Sequence, residues 1–299
     1  MKPLRIGTRG SELAITQTRL VIDLLRAAHG ELDFAEVILR THGDVHVARP
    51  MTESDWPVGG FVGTIERALL DGEIDIAVHS LKDLPTVPTP DLTVAAIPER
   101  ALPHDVLVLD RPASLDALSP DWRIGTGSPR RIAQLRQRGL TYASPVRGNV
   151  PTRLGMVGKG LNGVVLAAAG LERLGLAPKH AIDLPIEAFP CAPGQGALAV
   201  QCRASNSELI SRLKVIDHPA SRRAVEAERA VLRSLGAGCQ TPLGAYARIE
   251  GDSVELTAQL FSPDHETVVT ERHRGRDSET VGRELAGRLA AALARKEEA

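Results

Sequence analysis

The sequence predicts an α/β protein of two similar halves followed by a small α+β region. Three observations predict it. Short apolar runs alternate with helical patterns up to about residue 97, and the alternation restarts at 105. Stretches bearing proline or glycine, Ile97–Pro103 and Phe189–Gln195, punctuate it. After about 216 the order becomes a long helix, three strand-like stretches and a last helix. The 299 residues suffice for two or three domains.

Leu4–Thr8 reads as a short strand. A helix follows, with Leu13, Gln17, Leu20, Val21, Leu24, Leu25 and Ala28 at three-to-four spacing and Gly30 as its stop. Ala35–Leu39 is a strand, and Phe61–Leu70 a helix ending at Asp71-Gly72. Ile74–Val78 and Leu92–Ile97 are strands. Such alternation predicts parallel sheets with helices on both faces. In the second half Asp105–Leu109, Arg123–Gly125, Tyr142–Val146 and Val164–Ala168 are strands. Ser128–Arg138, closed by Gly139, and Asn149–Val157 are helices. Ser221–Leu235 is the long helix of the last region. Strands near 245–249, 254–260 and 267–274 come next, and a helix over Ser278–Arg295 ends the pattern.

Composition narrows the function. Apolar residues make up 43 % and charged residues 24 %, as in ordinary globular proteins. No apolar run approaches the ~18 residues of a transmembrane helix. Met1–Gly7 carries no apolar signal core, so the cytoplasm is expected and a membrane is not. The net charge of −1 and 3 % aromatic content argue against a nucleic-acid partner. Cys191, Cys202 and Cys239 make no CxxC pair, which disfavours a disulfide scaffold or structural zinc. Of the 36 basic residues, 30 are Arg. A GC-rich genome accounts for most of that excess, and forked recognition of carboxylates could account for some.

In open α/β sheets, ligands bind beyond the carboxyl ends of the strands. Those ends carry a series of cations and helix caps. Arg9 and Ser11 follow the first strand, and Ser11 is placed to cap the next helix. His79-Ser80-Leu81-Lys82-Asp83 follows Ile74–Val78. Thr126-Gly127-Ser128-Pro129-Arg130-Arg131 follows Arg123–Gly125, with Ser128 and Pro129 as cap and first-turn residues. Arg147-Gly148-Asn149-Val150-Pro151-Thr152-Arg153 repeats the arrangement, and Arg173 follows Val164–Ala168. Singly, a cap is only a cap and a surface arginine is only solvated. Together they suggest a pocket between the two halves for several carboxylates or phosphates. Guanidinium in a helix's first turn opposes the macrodipole, so Arg130 and Arg131 suggest that an anion completes their site.

Asp83 is the lone carboxylate of the set. It is a cap or a partner of Lys82, or a charge that stabilises a developing cation and moves protons. Cys239, beside glycines in Gly236–Pro242, reads as a buried small residue or as an exposed thiol fit for a nucleophile or attachment point. Cys191 and Cys202 look structural. His42, Asp44 and His46 lack a third convergent metal ligand, and no metal is expected. Gly7-Thr8-Arg9-Gly10 lacks the lysine and hydroxyl of a phosphate loop.

Taken in order, the motifs resemble porphobilinogen deaminases, also called hydroxymethylbilane synthases. They are Ile6–Ser11, Ala77–Pro85, Gly125–Arg131, Arg147–Leu154, Ala169–Gly175, Ala192–Leu198, Glu228–Ala230 and Gly238–Pro242. The resemblance spans nearly the whole chain. It implies two domains similar to periplasmic binding proteins with a cleft between them, and a smaller third domain. The implied division is 1–98 with 194–215, then 103–190, then 218–299. The implied enzyme is a transferase that joins four porphobilinogen molecules head to tail with loss of ammonia. The product, linear hydroxymethylbilane, passes to the next enzyme of tetrapyrrole and haem biosynthesis.

The chain grows on a dipyrromethane cofactor held by a thioether, here to Cys239. Asp83 matches the catalytic carboxylate, which stabilises the azafulvenium-like cation left by ammonia. Arg9, Ser11, Lys82, Thr126, Ser128, Arg130, Arg131, Arg147, Arg153, Arg173 and Gln195 match positions that bind cofactor and substrate. Acetates and propionates on each pyrrole suit forked arginines. The family also suggests a monomer. Trp56–Val62 departs from its pattern in lacking a lysine, and none lies between Lys2 and Lys82. His42, His104 and Gly127 are further departures. The same architecture also serves binders without turnover. A pure binder needs neither Cys239 nor Asp83, so the two together favour the enzyme.

Overall fold

The computed structural model describes residues 2–39, 62–140, 142–236 and 241–298. In chain order the strands are β1 (Leu4–Arg9), β2 (Phe34–Leu39), β3 (Ile76–Ser80), β4 (Leu92–Ala96), β5 (Asp105–Leu109), β6 (Ile124–Gly125) and β7 (Ala143–Ser144). They continue with β8 (Gly163–Ala167), β9 (Ala181–Asp183), β10 (Leu198–Arg203), β11 (Leu243–Glu250), β12 (Ser253–Phe261) and β13 (Val268–Gly275). The helices are α1 (Glu12–Ala28), α2 (Val62–Leu70), α3 (Pro129–Arg136), α4 (Val150–Leu154), α5 (Ala168–Arg173), α6 (Ser207–Leu213), α7 (Pro219–Ser234) and α8 (Ser278–Glu297). They fall into two units, Met1–Ala101 with Ala197–Arg222 and Leu102–Gly196 with Arg223–Ala299.

The first unit is built on a sheet of order β2-β1-β3-β10-β4. Successive side chains of β3 point to opposite faces, so Ile76 and Val78 join one core and Ala77 the other. Val21, Ile22 and Leu25 of α1 cover the first face, and Ile65, Ala68 and Leu69 of α2 cover the second. Ser11 caps α1, with Glu12 in its first turn and Arg26 in its last, so charge and dipole agree at both ends.

The second unit contains a sheet of order β7-β6-β8-β5-β9. Val106 and Val108 of β5 face one core, Leu107 and Leu109 the other. The two α/β sheets share one arrangement, except that the fourth position holds the last strand of the first sheet and the first strand of the second. In each, the fourth strand is antiparallel to its neighbours, β10 between β3 and β4 and β5 between β8 and β9. This corrects the expectation of purely parallel sheets. Both fourth strands lie just past a junction between units, so each enters its sheet from the other direction. Periodicity also missed β9, β10 and α6, although Asn206 caps α6.

One strand starts later than its apolar run. Ile74 donates its N–H to Ala68 at the end of α2, and Asp75 is held by Arg5 at 2.9 Å. Pairing begins at Ile76, so His79 and Ser80 lie inside β3 and not after it.

The third sheet is the antiparallel meander β11-β12-β13. Ala245, Ala247, Val254, Leu256 and Ala258 face Ala227 and Val231 of α7 and Val281, Leu285 and Leu289 of α8. Gly282 lets these helices approach: a Cβ there would meet the Ala230 Cβ at 2.4 Å. Glu228 of α7 is fully buried. Its carboxylate accepts from the Gly194 N–H at 2.8 Å and the Ala247 N–H at 2.9 Å. Glu228→Gln preserves the shape but offers an amide donor to one of those donors. The expected loss is roughly 1.5–3 kcal/mol, read as a lower urea midpoint. An unchanged midpoint would remove Glu228 from the forces holding this unit.

Candidate active site

In the first unit, β1 and β3 run parallel as neighbours, so their carboxyl ends meet. Thr8 donates its hydroxyl to the Ala14 carbonyl at 3.1 Å, and the Ser11 hydroxyl accepts from the Ala14 N–H. These bonds fix the turn that carries Arg9. At the end of β3 the Ser80 hydroxyl lies 3.0 Å from the Gln17 amide. A single 3-10 turn, Leu81–Asp83, follows. Leu81 is buried, Lys82 half-buried and Asp83 exposed. An apolar anchor thus presents a cation and a carboxylate side by side.

Behind this turn runs a buried polar chain that the sequence reading missed. Thr89 donates to Glu66 at 2.7 Å, the Gln201 amide donates to Glu66 at 2.8 Å, and His79 Nε2 meets Gln201 Oε1 at 3.0 Å. Gln201 spends its N–H on Glu66, so its oxygen accepts and His79 Nε2 carries the proton. Burial lowers the His79 pKa, against the opposing charges of Glu66 and Asp83. The ring stays neutral beneath the turn.

In the second unit, Ser128 caps α3 and Pro129 opens it. Thr126 is buried and its hydroxyl accepts from the Ser128 N–H at 3.2 Å. Arg130 and Arg131 are 3 % and 7 % exposed. Both pair with Asp105, the fully buried first residue of β5. The distances are 2.8 Å from Arg130 Nη1 and 2.6 Å from Arg131 Nη2. An anion does face the macrodipole-opposing pair, and the chain itself supplies one as Asp105.

Burial would raise the Asp105 pKa, but Arg130 and Arg131 hold it far below the ordinary carboxylate range, with hydrogen bonds from Arg131 and Gln195. A depressed folded-state pKa contributes stability above the unfolded value near 4. That contribution disappears as pH falls through the folded value, so it persists through neutral conditions. Gln195 is buried too. Its amide donates to Asp105 and to the Pro103 carbonyl, both at 2.8 Å. These bonds hold its side chain against the start of β5. Asp105 escaped the sequence reading because an acid opening an apolar run looks like a strand boundary.

The other candidates differ in exposure. Arg147 is exposed before Gly148, whose φ of 111° only glycine adopts readily. Arg153 is oriented by a 2.8 Å bond to the Gly148 carbonyl, and Arg173 donates to the Gly196 carbonyl at 2.7 Å. Asn149 caps α4. Cys239 lies outside the described residues, as do His42, Asp44, His46 and residues 56–61. Cys191 and Cys202 are fully buried, and burial pushes the Cys202 thiol up to about 11. No helix among the described residues is long and apolar enough to cross a membrane.

Each unit carries arginines and capped helix starts at the ends of its α/β strands, groups whose chemistry suits carboxylates. Comparison with known proteins makes this specific. The model of the porphobilinogen deaminase dipyromethane cofactor binding domain matches residues 4–211, and that of the porphobilinogen deaminase C-terminal domain matches 222–291. The chain belongs to the porphobilinogen deaminase family. It is 42 % identical to porphobilinogen deaminase 1 of Streptomyces avermitilis, over 96 % of this chain and 95 % of that one. It is 44 % identical to porphobilinogen deaminase of a Roseiflexus species, over 93 % and 92 %. Among solved structures it is similar to YhfZ from Shigella flexneri, with 15 % identity and a TM-score of 0.41 over 78 % of this chain and 91 % of that one.

Proposed function

We propose that this chain joins four porphobilinogen molecules head to tail, releasing ammonia at each step, and yields hydroxymethylbilane. Membership of the family supports the reaction. The observation that carries the ligand class is Arg130. Its Nε is buried with no hydrogen-bond partner among the described residues, although its Nη1 is fully engaged. A buried guanidinium donor without a partner suits a carboxylate of the dipyrromethane cofactor. When bound through Cys239, that group supplies the primer on which the tetrapyrrole grows.

The chain's own residues divide the work. Arg9, Lys82, Arg147, Arg153 and Arg173 bind acetate and propionate groups, helped by the N–H groups of the helices that Ser11 and Ser128 cap. Arg130 adds its open donor, while Thr126 steadies the Ser128 cap. Asp83 holds pyrrole N–H groups and stabilises the cation left by ammonia. The functional division is 1–98 with 194–215, 103–190 and 218–299. A single cytoplasmic chain does the work, and its product passes to the next enzyme of the pathway.

The direct test is intact mass. Apo-protein incubated with porphobilinogen should gain two linked pyrrole units, and a peptide map should place them on Cys239. No gain would leave a polycarboxylate binder without turnover. Arg147→Leu tests the carboxylate clamp separately. Losing one charge-assisted contact of roughly 1.5–3 kcal/mol should slow elongation about 10- to 100-fold. The melting midpoint should stay put, because Arg147 is exposed. Unchanged elongation at matched stability would remove Arg147 from the clamp.

A further inference from the structure

We propose that Asp105 is a positioning residue that divides the arginine pair into two roles, with Arg131 as a buttress and Arg130 as the ligand donor. This rests on the reading of the site just given. The asymmetry lies in the bonds. Arg131 uses all three of its nitrogens on the chain. Nε and Nη2 make a fork on Asp105 at 3.2 and 2.6 Å, and Nη1 donates to the Val165 carbonyl at 2.8 Å. Arg130 concentrates its bonds on Nη1, which reaches Asp105 at 2.8 Å, Gln134 at 2.8 Å and the Pro190 carbonyl at 3.1 Å. Its Nε stays open.

Two buried guanidiniums share one buried carboxylate, so the cluster carries a net positive charge where charge is costly. A second anion balances it, and Arg130 Nε is the buried donor left for one. Asp105 keeps the cations together and fixes Arg130 through Nη1. Gln195 holds Asp105 in turn. It ties Asp105 to Pro103, so the segment entering this unit is fastened to the segment about to leave it.

Lysine at either position keeps the charge and loses the fork, which separates the roles. Arg131→Lys, Arg130→Lys and Asp105→Asn are made as apo-protein. Each is melted, and its gain of the two-pyrrole mass is timed at limiting and saturating porphobilinogen. Arg131→Lys should lower the melting midpoint by roughly 4 °C or more. Arg130→Lys should lower it by less than Arg131→Lys does and slow mass gain about ten-fold at limiting porphobilinogen, with a much smaller effect at saturation. Asp105→Asn, where it folds, should show both effects.

Equal kinetic effects and equal midpoint shifts of the two lysine variants would overturn the division, as would wild-type mass gain by Asp105→Asn. If Asp105→Asn does not fold, the lysine pair still decides. Failure of the unsubstituted protein to gain mass would instead overturn the proposed reaction, which keeps the two failures distinct.

Discussion

Asp83→Asn is expected to keep the two-pyrrole mass on the protein and to cut turnover by roughly 10²- to 10³-fold, the usual loss when one preorganised electrostatic contact to a developing charge is removed. Asn preserves shape and a hydrogen-bonding oxygen. Only the negative charge is lost, and that charge opposes the cation formed as ammonia leaves. Asp83 is exposed at the end of a single helical turn, so folding should change by no more than about 0.5 kcal/mol. The neutral His79 ring behind it provides no substitute carboxylate. Steady-state turnover with intact mass on the same sample reads both halves of the expectation. Full turnover by the Asn variant would end the assignment.

Cys239→Ser should abolish the covalent primer, and with it turnover. A serine hydroxyl is a far weaker nucleophile than a thiolate at neutral pH. Neither remaining cysteine can stand in. Cys191 and Cys202 are fully buried, and the Cys202 thiol is pushed up to about 11, far from ionising at working pH. The denatured variant should therefore show the bare chain mass after incubation with porphobilinogen. A two-pyrrole adduct on the variant would move the attachment to another residue.

Much of this is legible in the sequence. The caps at Ser11, Ser128 and Asn149 are local bonds between a side chain and an N–H three residues on, so the sequence displays them. The placement of Arg9, Lys82 and Arg147 at strand ends follows from apolar run lengths. The Asp105–Arg131 pair was invisible because its partners are 26 residues apart and meet only when β5 lies beside α3. Glu66, Gln201 and His79 meet across still longer separations. The direction of β10 and β5 was also hidden, because an apolar run looks the same in either sense. Arg130 and Arg131 show the limit of reasoning from charge alone. An anion does oppose the helix dipole's discomfort, and the chain supplies it.

The different origin of the fourth strand in the two sheets has a consequence for how the protein is made. Strands β5 to β9 lie between Asp105 and Asp183 without interruption. The sheet they form can close as soon as that stretch leaves the ribosome. The first unit begins earlier but cannot finish earlier, because β10, its fourth strand, ends at Arg203. During synthesis β3 and β4 wait with open edges while the later-made sheet assembles. Nascent chains stopped before residue 198 should therefore depend on chaperones at the amino-terminal half, even though that half emerged first.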